Sequence, residues 1–325
     1  MLKKWLPPVL KFAVSGLLIW LLLTKVDVDA ALDRLLEVAP EMVLLSALVF
    51  LVQILICVFR WRAVLTAIGV PLPFLTAFRL YFIGIFFNQT LSSSVGGDAV
   101  RMYMTYRAGL TMGAAVNSVM LERVATVVGL VILVAVTLPV FVTRVDEQTG
   151  AWMVPAVALL GVATVAGLAF LMILERLPDS LRKWRIVRGI ANLGADARRL
   201  FLVPMNAGKT LGWAVVGHAN VALGVFVLAL GLDLDVTWVD CMALVPPVIL
   251  VTTLPISIAG WGVREGAMVV AFGFIGVADH SALVLSLLMG LVVIAISLPG
   301  GVVWLLSADR RRAAEDQSGM SVGSS

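Results

Sequence analysis

An all-α polytopic membrane protein is the fold class this sequence predicts, and three observations predict it. Hydrophobic residues make up 61% of the 325-residue chain and charged ones only 14%, with a mean hydropathy of +1.05. That is too little charge to cover a soluble domain of this length. Apolar runs long enough to cross a bilayer recur along the chain. Finally, the segment Leu91 to Arg101 (LSSSVGGDAVR) aligns without gaps on Leu254 to Arg264 (LPISIAGWGVR), with Leu, Ser, Gly, Val and Arg at the same five places. Broken apolar segments at matching positions of two halves are the sequence signature of a transporter built from repeats.

The first apolar run, near 8–24, follows Lys3 and Lys4. Its charge resembles a signal peptide, but it lacks a small-x-small cleavage site and more spans follow, so it is expected to be a retained first helix. Further spans are expected near 42–59, 118–143, 151–174, 211–231 and 282–306. Two other apolar regions, roughly 74–110 and 241–278, are interrupted. The first runs from Thr76 to Leu91, breaks at a Ser/Gly-rich stretch, and resumes in a limb carrying Asp98, Arg101 and Arg107. The second has Pro246, Pro247 and Pro255 in its first limb, breaks around Gly260 and Gly262, and resumes from Gly266 to Ala278.

Charges between the spans orient the chain. Residues 25–41 hold five acidic residues against Lys25 and Arg34, and 232–240 hold Asp233, Asp235 and Asp240 with no cation. Residues 60–79 hold Arg60, Arg62 and Arg79 with no acid, 175–209 hold eight Lys/Arg against three Asp/Glu, and Arg310, Arg311 and Arg312 follow the last span. The positive-inside rule then puts both termini and 175–209 in the cytoplasm. For these assignments to agree, each interrupted region must return to its starting side as a re-entrant hairpin, the first from the cytoplasm and the second from outside. Two inverted-topology repeats result, about 5–145 and 150–307, each of two spans, a hairpin and one span. Ten full helical segments would keep the same parity, and sequence leaves that alternative open. Residues 1–307 form one membrane domain on this reading, and 308–325 a disordered cytoplasmic tail. Within 175–209, Trp184, Val187, Ile190, Ala191 and Leu200 recur at roughly helical spacing among arginines. That pattern suits either a helix on the cytoplasmic leaflet or a solvated basic linker.

Ionisable side chains near mid-membrane cost about 2.5–3.5 kcal/mol each on the insertion scale, so they face a cavity or a partner. The candidates are Asp98 and Arg101, Arg264 and Glu265, and Glu122 with Arg123. Opposite charges are close in sequence at all three places, so local pairing could account for them. The functional alternative is that the hairpin arginines meet an anionic headgroup, since a guanidinium offers a fixed fork of donors to phosphate oxygens. Gly96, Gly97, Gly260 and Gly262, with Ser94 and Ser257 beside them, allow backbone amides to approach such an anion at the start of a half-helix. The same glycines could instead serve only helix packing. Asn88, Gln89 and Thr90 are expected to hydrogen-bond at a helix break, and His218 to act as an interhelical donor.

Several function classes are excluded. No HExxH, paired Cys-x-x-Cys or Walker A pattern occurs, and no acidic pair has the spacing of a Mg²⁺ site, so neither cofactor nor metal is expected. Cys57 and Cys241 lie in apolar surroundings suited to packing. Gly96-Gly97-Asp98 is similar to the Gly-x-Gly-Asp of intramembrane aspartyl proteases, but Val95 replaces the first glycine and no second intramembrane aspartate is evident. The net charge of +4 is modest, and no nucleic-acid partner is expected.

Arg60-Trp61-Arg62, Asn88 with Ser94 to Arg101, Leu121-Glu122-Arg123, and Leu254 to Glu265 occur in this order. Together they resemble the lysylphosphatidylglycerol synthase transmembrane-region family, also called flippase-like, over about residues 5–307. One departure is Leu91-Ser92, where a leucine-proline usually precedes the first motif. The resemblance implies lipid translocation across the cytoplasmic membrane. Bifunctional relatives carry a soluble aminoacyltransferase domain. In this chain only the eighteen-residue tail 308–325 follows the expected membrane domain, so synthase activity is not expected. The resulting expectation is a multi-pass inner-membrane flippase for a phospholipid or polyprenyl-phosphate-linked lipid, with Arg101 and Arg264 at a central site. A homodimer, or a partner synthase or glycosyltransferase, would be its protein partner. The alternatives are a membrane-embedded lipid- or glycan-modifying enzyme using Asp98, Glu122 or Glu265, and a scaffold for such an enzyme.

Overall fold

The computed structural model describes residues 28–90, 96–176, 183–253 and 261–307. The expected first span near 8–24, the hairpin tips at 91–95 and 254–260, and the tail 308–325 lie outside the described residues. Those residues form eleven α-helices and no strand. In chain order they are α1 (Val28–Glu37), α2 (Pro40–Ala67), α3 (Phe74–Thr90), α4 (Gly96–Arg107), α5 (Met112–Val142), α6 (Glu147–Ile173, continued by a 3-10 turn Leu174–Arg176), α7 (Arg185–Phe201), α8 (Pro204–Gly231), α9 (Trp238–Thr252), α10 (Val263–Gly273) and α11 (Asp279–Leu306).

Five of these, α2, α5, α6 with its 3-10 turn, α8 and α11, are long and apolar enough to cross a membrane. Each has 28 residues or more, or about 42 Å at the helical rise, against a hydrocarbon core of about 30 Å. They match the expected spans but run further. The apolar run ends at Phe59, yet α2 continues through Arg60, Trp61 and Arg62 to Ala67. Arg60 is only 5% exposed, so counting it among the connecting charges was incorrect; it lies inside a packed helix. The acidic stretch 25–41 likewise contains α1, which packs on α11.

Helix termini follow local chemistry. Pro40 and Pro204 open α2 and α8 at the first turn, where a missing N–H costs nothing. Asp146 caps α6, and the hydroxyl and then the amide of Thr149 hold its carboxyl below the usual carboxylate range. Thr237 and Asp240 form a reciprocal capping box on α9, with the Thr237 hydroxyl accepting from the Asp240 amide and Asp240 accepting from the Thr237 amide.

Small residues decide which helices approach closely. α2 lies along α8, where the ring of Phe50 occupies the space of a side chain at Gly224, and Met42 that at Gly231. Ser46 donates to the Gly224 carbonyl at 3.0 Å, and Asn220 donates to Val49 O and Gln53 Oε1 at 3.0 and 3.1 Å. α3 crosses α4 at Gly84 and Gly97, where a Cβ on Gly97 would collide with the Gly84 carbonyl. Gly300 and Gly301 on α11 admit the Phe82 backbone and the Phe86 ring. The largest apolar core joins α8, α9, α10 and α11 through Leu228, Leu244, Phe272 and Leu285. A second surrounds Trp61, Leu65, Leu80 and Ile83 of α2 and α3.

α6 is apolar on all sides and buries only Gly150 and Val157 within the protein, so hydrocarbon is its environment. α7 is the amphipathic helix expected within 175–209. It buries Ala191, Ala197 and Leu200 and carries Arg188, Arg198 and Arg199. It is tied to α5 by Asn117, which donates to Asp196 at 2.7 Å. Trp184 immediately precedes it and is exposed, as is Ile186.

Candidate functional site

A buried ion cluster sits where α2, α3, α4 and α5 converge. Its centre is Glu122 on α5, one carboxylate shared by two arginines. Arg60 donates to Oε1 through Nε at 3.1 Å and Nη2 at 2.5 Å, and Arg101 donates to Oε2 at 2.6 Å. Arg101 also reaches Asp98 Oδ1 at 3.2 Å, and Arg123 Nε donates to Asp98 Oδ2 at 2.6 Å. Tyr81 completes the shell, its hydroxyl donating to Glu122 Oε1 at 3.4 Å. The Arg101 guanidinium lies 4.9 Å from the Trp61 ring centroid and 4.6 Å from that of Tyr81, within cation–π range. Trp61 is itself fixed, donating to Ser118 at 3.3 Å. Three guanidiniums against two carboxylates leave this cluster one positive charge in excess.

The local pairing expected from sequence holds for Asp98 with Arg101 and for Arg264 with Glu265. It fails for Glu122 and Arg123. Adjacent helical residues project about 100° apart, and here the two side chains find different partners on neighbouring helices. Arg264 and Glu265, equally adjacent, instead fold back on each other at the first turn of α10. Glu122 faces α2 and α4, whereas Arg123 swings to Asp98.

The second charged pair lies on α10. Arg264 donates to Glu265 Oε1 through Nη2 at 2.6 Å and to Ser286 Oγ through Nε at 3.1 Å. Its guanidinium stacks over Trp261 at 4.8 Å. Gly290 on α11 leaves the room that this guanidinium fills, since a Cβ there would collide with it. The other Glu265 oxygen accepts the Gly262 amide at 2.5 Å, and Gly262 has φ +84°, a conformation suited to glycine. The amide of Gly97 is taken similarly by Asn88 Oδ1 at 3.0 Å, the helix-break bond expected of Asn88. Both glycine amides therefore face acceptors from the protein itself.

Between the cluster and α10 lies a cavity of about 400 Å³. Arg60, Arg123 and Arg264 all line it, and among the described residues no carboxylate does. Neutral polar groups join them: Gln53 from α2, Tyr81, Asn88 and Gln89 from α3, Thr126 from α5, and His218 from α8. His218 Nε2 lies 3.0 Å from the Thr126 carbonyl, a bond in which the ring must donate, as expected of an interhelical donor. Apart from Thr252 on α9, the remaining wall is apolar, with Val245, Val248, Ile249, Met268 and Met289. Chemically, this chamber can hold an anionic group at one side and hydrocarbon at the other.

Of the residues singled out in the sequence, Asn88, Gly97, Asp98, Arg101, Glu122 and Arg123 come together in one cluster, with Gly96 at the start of α4. Gly262, Arg264 and Glu265 come together at the start of α10, and of the three only Arg264 lines the chamber. Ser94, Ser257 and Gly260 lie outside the described residues. Arg101 is 3% exposed and does not line the chamber, whereas Arg123 does, with a half-exposed side chain. Sequence reasoning missed Arg60, Tyr81, Gln53 and the cavity-facing position of His218. The available signal for Arg60 and Tyr81 was polar residues continuing the helical phase of apolar α2 and α3. Among the described residues, no group of three or more His, Cys, Asp and Glu side chains is placed to hold a metal ion.

Comparison with known proteins gives two findings. The family model described as the lysylphosphatidylglycerol synthase TM region matches residues 9–301. A UPF0104 membrane protein of Methanocaldococcus jannaschii is 31% identical over 116 residues, a stretch covering 34% of this chain and 34% of that protein. The match thus spans about a third of the length of that curated relative.

Proposed function

The chain belongs to the lysylphosphatidylglycerol synthase TM region family, and from that premise we propose that it is a flippase for an anionic lipid or lipid-linked headgroup. The observation that carries this reading is the chamber lining: among the described residues, three arginines, no carboxylate, and a largely apolar wall. A phosphate-bearing headgroup would replace the hydration those guanidiniums lose on burial, while acyl or prenyl chains stay in contact with apolar surface. The carboxylates available for an enzymatic reading, Asp98, Glu122 and Glu265, are each held by arginine, which favours transport over acid–base chemistry.

The same reading places the protein in the cytoplasmic membrane with both termini inside. α3, α4, α9 and α10 have 17, 12, 15 and 11 residues. At about 16–25 Å, each is shorter than the hydrocarbon core. Such lengths suit two re-entrant hairpins of opposite orientation, one in each inverted repeat, that rock against each other to open the chamber to either side. Cysteine labelling tests the orientation. With Cys57 and Cys241 replaced, Arg199→Cys should react only with reagent on the cytoplasmic side and Asp235→Cys only from outside. Labelling of Arg199→Cys from outside would overturn the inverted arrangement.

Transport itself is tested with purified protein in phosphatidylcholine liposomes. Fluorescent phosphatidylglycerol and a fluorescent polyprenyl phosphate should cross faster than in protein-free liposomes and be recovered chemically unchanged. Crossing no faster than in protein-free liposomes for both probes would reject the flippase reading, and chemically altered lipid would favour the enzymatic one.

A further inference from the structure

Arg123 lines a second cavity as well as the central chamber. On the outer side of α5, a groove of about 360 Å³ runs between α5 and α6, and apart from Arg123 its surface is almost wholly apolar. Val124, Val127 and Val128 form one wall, and Gly167 and Leu168 the floor and other wall. The groove exists because α5 and α6 touch at Val157 against Leu130 and Val134, then part where α6 carries Ala163 and Gly167. At its far end, Leu171 packs under α7. The one hydroxyl along it, Thr164, is spent on its own helix, donating to the Leu160 carbonyl at 2.8 Å. Among the described residues, Arg123 is therefore the groove's only ionic contact. Its Nε is held by Asp98, and its two terminal nitrogens have no partner among the described residues.

Asp98 occupies only one donor of this guanidinium, and in a cluster with one positive charge in excess the remaining donors beside a hydrocarbon-lined groove favour a further anion. Resting on the flippase reading above, we infer that the α5–α6 groove is the berth for a hydrocarbon chain of the transported lipid, and that Arg123 marks the portal through which chain and headgroup connect. The headgroup occupies the chamber among Arg60, Arg123 and Arg264. The chain leaves sideways past Arg123 and lies along Val124, Val127 and Gly167, still open to the bilayer. The occupant is thus a lipid with an anionic headgroup, since a zwitterionic one presents a cation to the same arginines.

Gly167 offers a clean probe. A Cβ at this position meets nothing within 4 Å, so the side chain of Gly167→Phe can start from the helix without a clash and project into the groove that Gly167 lines. Val165, exposed on the same helix but outside the groove, supplies the control Val165→Phe. In phosphatidylcholine liposomes, fluorescent phosphatidylglycerol should cross about tenfold or more slowly with Gly167→Phe, a barrier increase of roughly 1.4 kcal/mol, and at the wild-type rate with Val165→Phe. Independently, phosphatidylglycerol with a photoreactive group on its acyl chain should label Val127 or Leu168. Unlabelled phosphatidylglycerol should suppress that labelling, and phosphatidylcholine should not. Wild-type transport by Gly167→Phe overturns the inference, as does labelling that phosphatidylcholine suppresses equally well. If the wild-type protein moves no lipid, the flippase reading fails by itself. The photolabel then still decides the groove: selective suppression supports it as an anionic-lipid site, and unselective labelling rejects it.

Discussion

Replacing Glu122 by glutamine should destabilise the protein by about 3–5 kcal/mol, the cost of breaking a buried ion pair by removing one partner. Glu122 is 1% exposed and holds Arg60 and Arg101, themselves 5% and 3% exposed. The amide keeps the shape but removes the charge, so one excess positive charge becomes two, with only Asp98 left to offset three guanidiniums. The guanidiniums cannot shed their protons to escape, because arginine stays charged in proteins. The loss should appear as a lowered thermal midpoint in lipid nanodiscs, read by tryptophan fluorescence, since Trp61 packs beside Arg101. Pairing Glu122→Leu with Arg101→Met should recover part of the loss, as apolar pairs of similar volume often replace buried ion pairs at little cost. A Glu122→Gln midpoint equal to wild type would mean that water or lipid, rather than the carboxylate, solvates Arg60 and Arg101.

The spans were legible because a window of apolar residues is a strong signal, and their ends were not. At Arg60-Trp61-Arg62 the run meets charge, which reads as an interface, yet the helix continues because Glu122 on α5 accepts what Arg60 donates. That partner is 62 positions away, and no local pattern reveals it. Glu122 and Arg123 show the converse: proximity in sequence suggested a pair, but each finds a partner on another helix. Asn88 was read correctly as a break-site hydrogen-bond former, because an amide side chain inside an apolar limb has few other uses. Gly290 could not have been found, since one more glycine in an apolar helix carries no mark of the guanidinium it accommodates. The eleven-residue match aligned Arg101 with Arg264 as equivalents, but their surroundings differ. Arg101 is sealed between two carboxylates and two aromatic rings, while Arg264 faces the chamber with 15% of its side chain exposed.

That difference separates two mutational outcomes the alignment would have made alike. Arg101→Ala should lose stability, though less than Glu122→Gln, because it leaves a buried gap and takes the donor from Glu122 Oε2 and Asp98 Oδ1 while Arg60 and Arg123 keep the other oxygens. Arg264→Ala should leave a folded protein, since Glu265 keeps the Gly262 amide and the Ser286 hydroxyl when the guanidinium is gone. Its transport of anionic lipid should nevertheless fall. A hydrogen bond to a charged group contributes about 1.5–3 kcal/mol, which corresponds to a loss of roughly 10- to 150-fold in rate. Arg264→Lys should recover only part of that. A lysine keeps the charge but gives up both the planar fork that matches phosphate oxygens and the stacking over Trp261. The two effects are distinguished by measuring thermal midpoint and liposome transport on the same preparations. Arg264→Ala that is stable and transports phosphatidylglycerol at the wild-type rate would make this guanidinium a structural partner of Glu265. The anion site would then rest on Arg60 and Arg123 alone, the two arginines of the chamber that reach it from the opposite wall.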